Sequence, residues 1–343
     1  MKILITGGSG FIGSALIRFL INSKKKHKII NVDLLVRGSV NESLKFIKNS
    51  DRYMFKKIDI CNQKKIYDLI FKHKPDIIFN LAAESHVDNS ILDPQKTFYT
   101  NVLGTLNLAE ICRNLLNRNV LKRNTFKFIQ ISTDEVFGSL KRYEKSFNER
   151  SNYKPNSPYS SSKASSDHII NAWIKTYSFP GIITHCTNNF GPWQFPEKLI
   201  PVVIYNCLIK KNIPVYGKGE NIRQWIYVED HIRALNLILE KGKIFETYNI
   251  GSGNSYTNIY LIKNICNILN KLIPSEINYL SLIKFVKDRP GHDFKYSINS
   301  NKISKQLNYN PIYNFKNALF NTVKWYIDNF EWLEKKVQEI EKN

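Results

Sequence analysis

Tyr159 and Lys163 bracket the stretch Tyr159–Ser160–Ser161–Ser162–Lys163. Side chains four residues apart share one helix face, with Cβ atoms about 5–6 Å apart. A phenol of ordinary pKa near 10 is a poor base at neutral pH, and an adjacent ammonium favours its phenolate. Lowering that pKa by about three units takes ~4 kcal/mol of differential stabilisation. A phenolate held in this way suits the oxidation of an alcohol. Such a pair also arises by chance on solvated helices, so it gains weight only from its surroundings.

A second group lies upstream, in Ile131–Ser132–Thr133–Asp134–Glu135–Val136–Phe137–Gly138. Neighbouring side chains on a regular strand point to opposite faces. Asp134 and Glu135 can therefore address one substrate only where the chain has left extended geometry. Two carboxylates are more than an oxidation requires. They fit an added elimination, which needs one acid and one base. An acidic loop capping the next turn is the plainer alternative.

The elements that must position these groups alternate in the first half of the chain. Apolar, β-rich runs at 2–6, 28–33, 53–58, 76–81, 126–132 and 181–186 alternate with helical stretches. That order predicts an α/β fold with a doubly wound parallel sheet. Pro75 and Pro180 precede two of the runs, where a missing N–H is tolerated. Beyond Asn189 short strands (214–216, 225–228, 246–250, 294–298) mix with helices near 197–211, 229–241, 257–271 and 312–334. This half reads as a smaller mixed α/β lobe that binds substrate over the carboxyl ends of the sheet. The expected division is interleaved, with 1–187 plus 223–250 against 188–222 plus 251–343. The Tyr227–Asp230 strand-to-helix unit and the Tyr248–Ile250 strand are expected to return to the first lobe. The mixed charges from Glu334 onward predict a solvated helix end that frays.

Thr6–Gly7–Gly8–Ser9–Gly10–Phe11–Ile12–Gly13 follows the first strand and opens a helix over 14–22. Gly7 allows the tight turn, Gly10 lets a pyrophosphate approach the backbone, and Gly13 lets helix and strand pack closely. The helix N-terminus, at Phe11 and Ile12, offers free N–H groups to the phosphates. Asp33, 20 residues beyond Gly13, ends the second strand where an acid bonds the adenosine ribose. A carboxylate there repels a 2′-phosphate and favours NAD over NADP, although Arg37 lies close by in sequence. Asp59 and Ile60 are placed to meet the adenine, and Leu81, Ala82 and Ala83 put small side chains under the cofactor or into helix–sheet packing. The whole is a Rossmann-type dinucleotide site, and a bound nicotinamide would add a second cation beside Tyr159.

Composition narrows the remaining choices. The 343 residues are 43% hydrophobic with mean hydropathy −0.32, and no apolar run approaches the roughly 20 residues of a bilayer span. The first residues already read as a buried strand, so no targeting segment is expected before it. Five scattered cysteines form no CxxC pair, which argues against a disulfide framework or a metal site and suits a reducing cytosol. The net charge of +21 comes mostly from dispersed lysine, with no basic stripe interleaved with aromatics. A solvated surface is expected, with no nucleic-acid or membrane partner and mild steering of an anionic substrate.

With these residues in view, the chain resembles the dTDP-glucose 4,6-dehydratases, NAD-dependent enzymes of the extended short-chain dehydrogenase/reductase type. The similarity runs from Gly7 to about Trp325. It is carried by Ala82–Ala83–Glu84–Ser85–His86–Val87–Asp88, Ser132 to Val136, Tyr159 to His168 and Asn188–Asn189–Phe190–Gly191–Pro192. It continues in Phe195 to Pro201, Arg223 to His231 and Asp288–Arg289–Pro290–Gly291–His292–Asp293. The Thr133–Asp134–Glu135 triplet is the most specific.

The resemblance implies a closed redox cycle on a nucleoside-diphosphate glucose, a step toward deoxysugars such as rhamnose. Tyr159, with Lys163 and Thr133, would deprotonate the C4 hydroxyl as hydride leaves C4. Glu135 would then take the C5 proton while Asp134 protonates the departing C6 hydroxyl, and hydride would return to C6. It also implies substrate contacts at Ser85, Asn188, Lys198, Arg223, Asn258, Arg289 and His292, with the base near Pro214 and Tyr216. A homodimer through helices near 101–117 and 160–177 is implied as well. Departures from the family pattern are the segment Val36–Arg37–Gly38–Ser39–Val40–Asn41 after the ribose ligand, Asn89 for an arginine, and Phe190 for a tyrosine. Thymidine and uridine differ here by one methyl, worth only about 1 kcal/mol in an apolar pocket. A nucleotide-sugar 4-epimerase or decarboxylase is the neighbouring alternative. From another class, an NAD-sensing binding protein would be signalled by loss of Tyr159 or Lys163, and both are present.

Overall fold

A computed structural model describes residues 1–288 and 291–342. Six strands of the first half, β1 (Lys2–Thr6), β2 (Lys28–Asp33), β3 (Tyr53–Lys57), β4 (Ile77–Asn80), β5 (Lys127–Thr133) and β6 (Gly181–Cys186), enter one sheet. The second half adds β7 (Asn188–Phe190), β8 (Ile213–Tyr216), β9 (Ile222–Tyr227), β10 (Thr247–Ile250), β11 (Ser255–Thr257) and β12 (Ile283–Val286). The main sheet has the order β10-β6-β5-β4-β1-β2-β3 and its ladders are all parallel.

Parallel strands are covered on both faces, so they read as near-continuous apolar runs. β1 shows the consequence of period two. Ile3 and Ile5 join the core under the helices Phe11–Asn22 and Val228–Lys241. Leu4 joins the opposite core, beneath Gln63–His73, Gly104–Asn117 and Pro158–Tyr177. The strand order reverses between β1 and β4, and in open α/β sheets ligands bind outside the carboxyl ends of the strands at such a switch point.

The second lobe has its own core, built on Phe190, Trp225, Phe315 and Tyr326. It contains a three-stranded sheet, β11-β9-β7, and a β12-β8 parallel pair. β10 returns to the main sheet beside β6. The unit around Tyr227 divides: β9 pairs with β7 and β11, while Val228, Ile232 and Leu235 of the following helix pack into the first core.

Several sequence expectations need correction. The strand expected at 294–298 is reduced to single bridges, Ile222 to Lys295 and Phe147 to Ile298. The helix expected over 312–334 breaks at Asn329 (φ −121°) into Phe315–Asp328 and Phe330–Glu341. The end of the chain does not fray at Glu334. Lys336 is buried and its Nζ lies 2.9 Å from both Glu42 of the first lobe and Glu339. The charges there are paired across the fold, which charge patterning alone does not reveal.

Candidate active site

Gly7, at φ +65°, carries the chain from β1 into the turn, and a Cβ there would lie 2.6 Å from the Ala82 backbone nitrogen. A Cβ on Gly13 would collide with the Gly7 carbonyl and lie 2.7 Å from the Gly8 Cα. Gly10 differs: its Cβ would meet only the Gly7 carbonyl oxygen, at 3.3 Å, leaving the outer side of the turn open. The helix starts at Phe11, with Gly10 as its cap and no side chain bonding its first amides. An open turn ahead of a helix N-terminus suits a pyrophosphate.

Asp33 closes β2. Its carboxylate accepts from the Ser9 N–H (2.9 Å), the Leu35 N–H (2.7 Å) and the Ser39 hydroxyl (3.3 Å). Burial pushes its pKa up, against those hydrogen bonds. Two carboxylate oxygens offer about four acceptor positions, so ribose hydroxyls can still be served. Asp59 accepts from the Cys61 N–H (2.8 Å), and the Ile60 side chain is buried beneath Gly104. Leu81, Ala82 and Ala83 are half-buried, and the Ala82 N–H donates to the Thr6 hydroxyl (3.2 Å). These residues fit a dinucleotide by shape and donor chemistry. Arg37 faces the second lobe, its Nε 3.3 Å from Glu197 Oε2.

β5 ends at Thr133, which caps a 3-10 turn over Asp134–Phe137 by accepting from the Glu135 N–H (3.3 Å). The chain thus leaves extended geometry at the point where two adjacent acids must face one way. Val136 and Phe137 anchor the turn in a small core with Ala164 and Ile298. Asp134 is 2% exposed and its pKa is raised well above the usual carboxylate range, first by burial and then by the Glu135 charge. Arg223 opposes that shift. Burial thus favours the neutral form of Asp134, and Glu135 beside it is half-buried.

Tyr159 begins the helix Pro158–Tyr177, which Ser157 and Ser160 start with a reciprocal capping box. Lys163 lies one turn further, and its Nζ donates to the Ile131 carbonyl (2.6 Å). The Tyr159 pKa is raised well above 10 by burial, then by Glu135, Cys186 and Asp134, while the Thr133 hydroxyl opposes. Burial is the largest of these influences, and Lys163, whose ammonium bonds the Ile131 carbonyl, is not among those that lower it. Asn101, in a π-helical turn over Tyr99–Leu103, exchanges hydrogen bonds with the Glu84 backbone and donates to Ser162 (2.8 Å). No periodicity argument anticipates that turn.

The second lobe closes the far side. Lys198 Nζ donates to the Ser85 carbonyl (2.9 Å). Arg223 is buried, donating to the carbonyls of Ile222 (2.9 Å), Asp293 (3.0 Å) and Phe294 (3.4 Å), with its guanidinium 4.3 Å from the Tyr296 ring centre. Asn188 Oδ1 and Asn258 Oδ1 are buried without a hydrogen-bond partner among the described residues. Pro214 and Tyr216 share the exposed side of β8. The Tyr216 ring stands edge-on to His292 at 6.2 Å, and His292 Nδ1 lies 2.6 Å from Asp288 Oδ1. Arg289 lies outside the described residues. Among the described residues no cluster of ligands could hold a metal, and no helix is long and apolar enough to cross a membrane.

Residues 4–322 match the family model described as GDP-mannose 4,6 dehydratase. The chain is 46% identical over 343 residues to dTDP-glucose 4,6-dehydratase 1 of Escherichia coli K12, covering 97% of this chain and 95% of that protein. It is similar to a crystal structure of dTDP-glucose 4,6-dehydratase from Bacillus anthracis in complex with NAD (39% identity, TM-score 0.86, 98% and 99% of the two chains). A Streptomyces venezuelae dTDP-glucose 4,6-dehydratase with NAD and TYD bound superposes with TM-score 0.89 at 36% identity, covering 98% and 100%. The glycine turn, the acid pair beside Tyr159 and a near end-to-end match together place this chain in the family of the dTDP-glucose 4,6-dehydratases.

Proposed function

We propose that this chain converts dTDP-glucose to the 4-keto-6-deoxy sugar nucleotide. The observation that carries the reading is the turn that sets Asp134, buried and proton-holding, beside Glu135 and within electrostatic reach of Tyr159. NAD, when bound on the Gly7–Gly13 turn and Asp33, supplies a hydride acceptor for C4 and a hydride donor for C6. The protein's own groups do the rest. Thr133 orients Tyr159, whose phenolate, favoured by the Lys163 ammonium behind it, takes the C4 hydroxyl proton. The C4 ketone acidifies the C5–H; Glu135 removes that proton and Asp134 gives its own to the C6 hydroxyl, which leaves as water. A proton returned to C5 as C6 gains hydride completes the product. The net change is loss of one water.

Lys198, Arg223, Asn188, Asn258, Ser85 and His292 are assigned to the sugar diphosphate, and Pro214 and Tyr216 to the base. The lobe 188–222 plus 251–343 would bind the nucleotide sugar against the lobe 1–187 plus 223–250, which would bind NAD. A homodimer is part of the proposal, supported by exposed apolar side chains at Leu92 (84%), Tyr99 (54%) and Ile91 (44%), on short helical segments packed against the helix Pro158–Tyr177. Five free cysteines suit a reducing cytosol. Incubation with dTDP-glucose and with UDP-glucose, read by mass spectrometry, tests the reading: loss of water is expected from the first. A product of unchanged mass would point instead to a 4-epimerase.

A further inference from the structure

Behind Lys163, away from the sugar, lies a buried polar cluster that the proposed chemistry does not use. Asp167 sits one turn beyond Lys163 on the same helix and is fully buried. Its Oδ2 accepts from the Ser132 hydroxyl of β5 (2.6 Å) and from the Tyr153 hydroxyl (3.2 Å), and lies 3.3 Å from His185 Nε2 of β6. The Tyr153 oxygen and His185 Nε2 are 2.7 Å apart, and His185 Nδ1 reaches Asn249 Oδ1 of β10 at 3.1 Å. Asp167 Oδ1 is buried with no hydrogen-bond partner among the described residues. Three side chains therefore hold one carboxylate in one orientation.

A buried carboxylate and a buried ammonium are each costly alone, and each lowers the cost of the other when close. Lys163 hydrogen-bonds a neutral carbonyl, so its charge needs a partner from elsewhere. Burial pulls the Lys163 pKa down, and Asp167 leads the opposing influences, followed by Cys186. The titratable groups facing Lys163 are Asp167 on its own helix and Cys186 on β6; Glu135 and Asp134 act on Tyr159 from the turn. Around Asp167 stand Tyr153 and His185, with the His168 ring 5.3 Å from Tyr153.

We propose that Asp167, oriented by Ser132, Tyr153 and His185, is a positioning residue that serves as the buried counter-charge of Lys163. It keeps the ammonium in place behind the Tyr159 phenol as pH rises. It touches neither sugar nor cofactor. The inference rests on the assignment of Tyr159 and Lys163 to C4 oxidation.

The test follows the oxidation step alone, by NADH absorbance in single turnovers with dTDP-glucose in a Glu135→Gln background, so that elimination does not follow the oxidation. Asp167→Asn keeps the shape and removes the charge. Its alkaline limb is expected to move down by about one pH unit, as loss of one buried opposite charge produces. Asp167→Glu should restore most of that loss. An independent readout is the 13Cε signal of Lys163 in lysine-labelled protein without nucleotide, whose inflection should fall in Asp167→Asn. An unchanged limb and inflection, with a uniformly lower rate, overturns the inference. Should Asp167→Asn not fold, Ser132→Ala, which frees the carboxylate, is expected to shift both readouts the same way by less, and no shift would overturn it. Lys163→Met separates the two readings: if it oxidises C4 at the parent rate, the assignment of Lys163 fails first.

Discussion

Arg37 Nε lies 3.3 Å from Glu197 Oε2, tying the loop behind the Asp33 carboxylate to the segment that opens the second lobe. The pair is partly exposed, and such pairs contribute about 0–1 kcal/mol. Arg37→Ala is therefore expected to speed NAD release by no more than about fivefold, measured by stopped-flow fluorescence. A hundredfold effect would show that Arg37 binds the cofactor directly.

Glu135→Gln removes the base assigned to C5 and leaves the phenol and its surroundings. Oxidation at C4 should persist while the 4-keto-6-deoxy product falls by about 10²–10⁴-fold, the usual weight of general base catalysis. Dehydration at the parent rate would refute the assignment.

Asp134 carries a cost that function explains. Its folded pKa is raised, so between about pH 4, where the unfolded chain titrates, and that higher value the folded state binds more protons. Stability contributed by the neutral acid is complete below pH 4 and is lost as pH rises toward the folded pKa. Asp134→Asn should abolish dehydration and yet raise stability at pH 7 by about 1 kcal/mol or more, the equivalent of one pKa unit. Urea unfolding at pH 4 and pH 7 checks this, with a flatter pH dependence expected for the variant.

Two glycines of the turn separate fold from function. Gly13→Ala meets the Gly7 carbonyl and the Gly8 Cα, and overpacking of this kind costs about 1–3 kcal/mol. Its Tm should drop. Gly10→Ala meets only the Gly7 carbonyl oxygen, at 3.3 Å, which a shift of a few tenths of an ångström relieves, so it should fold with little loss of Tm and lose NAD affinity. Thermal melts with and without NAD distinguish the two.

The apolar group at Ile91, Leu92 and Tyr99 gives the dimer proposal a direct check. Leu92→Glu should leave the far-ultraviolet spectrum intact and shift sedimentation toward the monomer. An unchanged sedimentation coefficient for variant and parent would remove this face from the interface.

Sequence alone was enough for the parallel sheet, since buried parallel strands leave Ile-rich apolar runs and the helices between them carry their own period. It also put Gly7 and Gly13 in the turn after β1 and Tyr159 and Lys163 one turn apart on a helix, because those spacings are local. The sequence did not reveal β7, β11 and β12, which are only three or four residues long, or the break at Asn329. Asn101, Tyr153 and His185 escaped notice for a different reason: each gains its role from partners between 14 and 64 residues away, except that Asn101 also depends on a π turn. Electrostatics was decided by tertiary structure. Burial and the approach of neighbouring charges push the Asp134 and Tyr159 pKa values up, and the chain's order of residues contains neither a dielectric nor a distance.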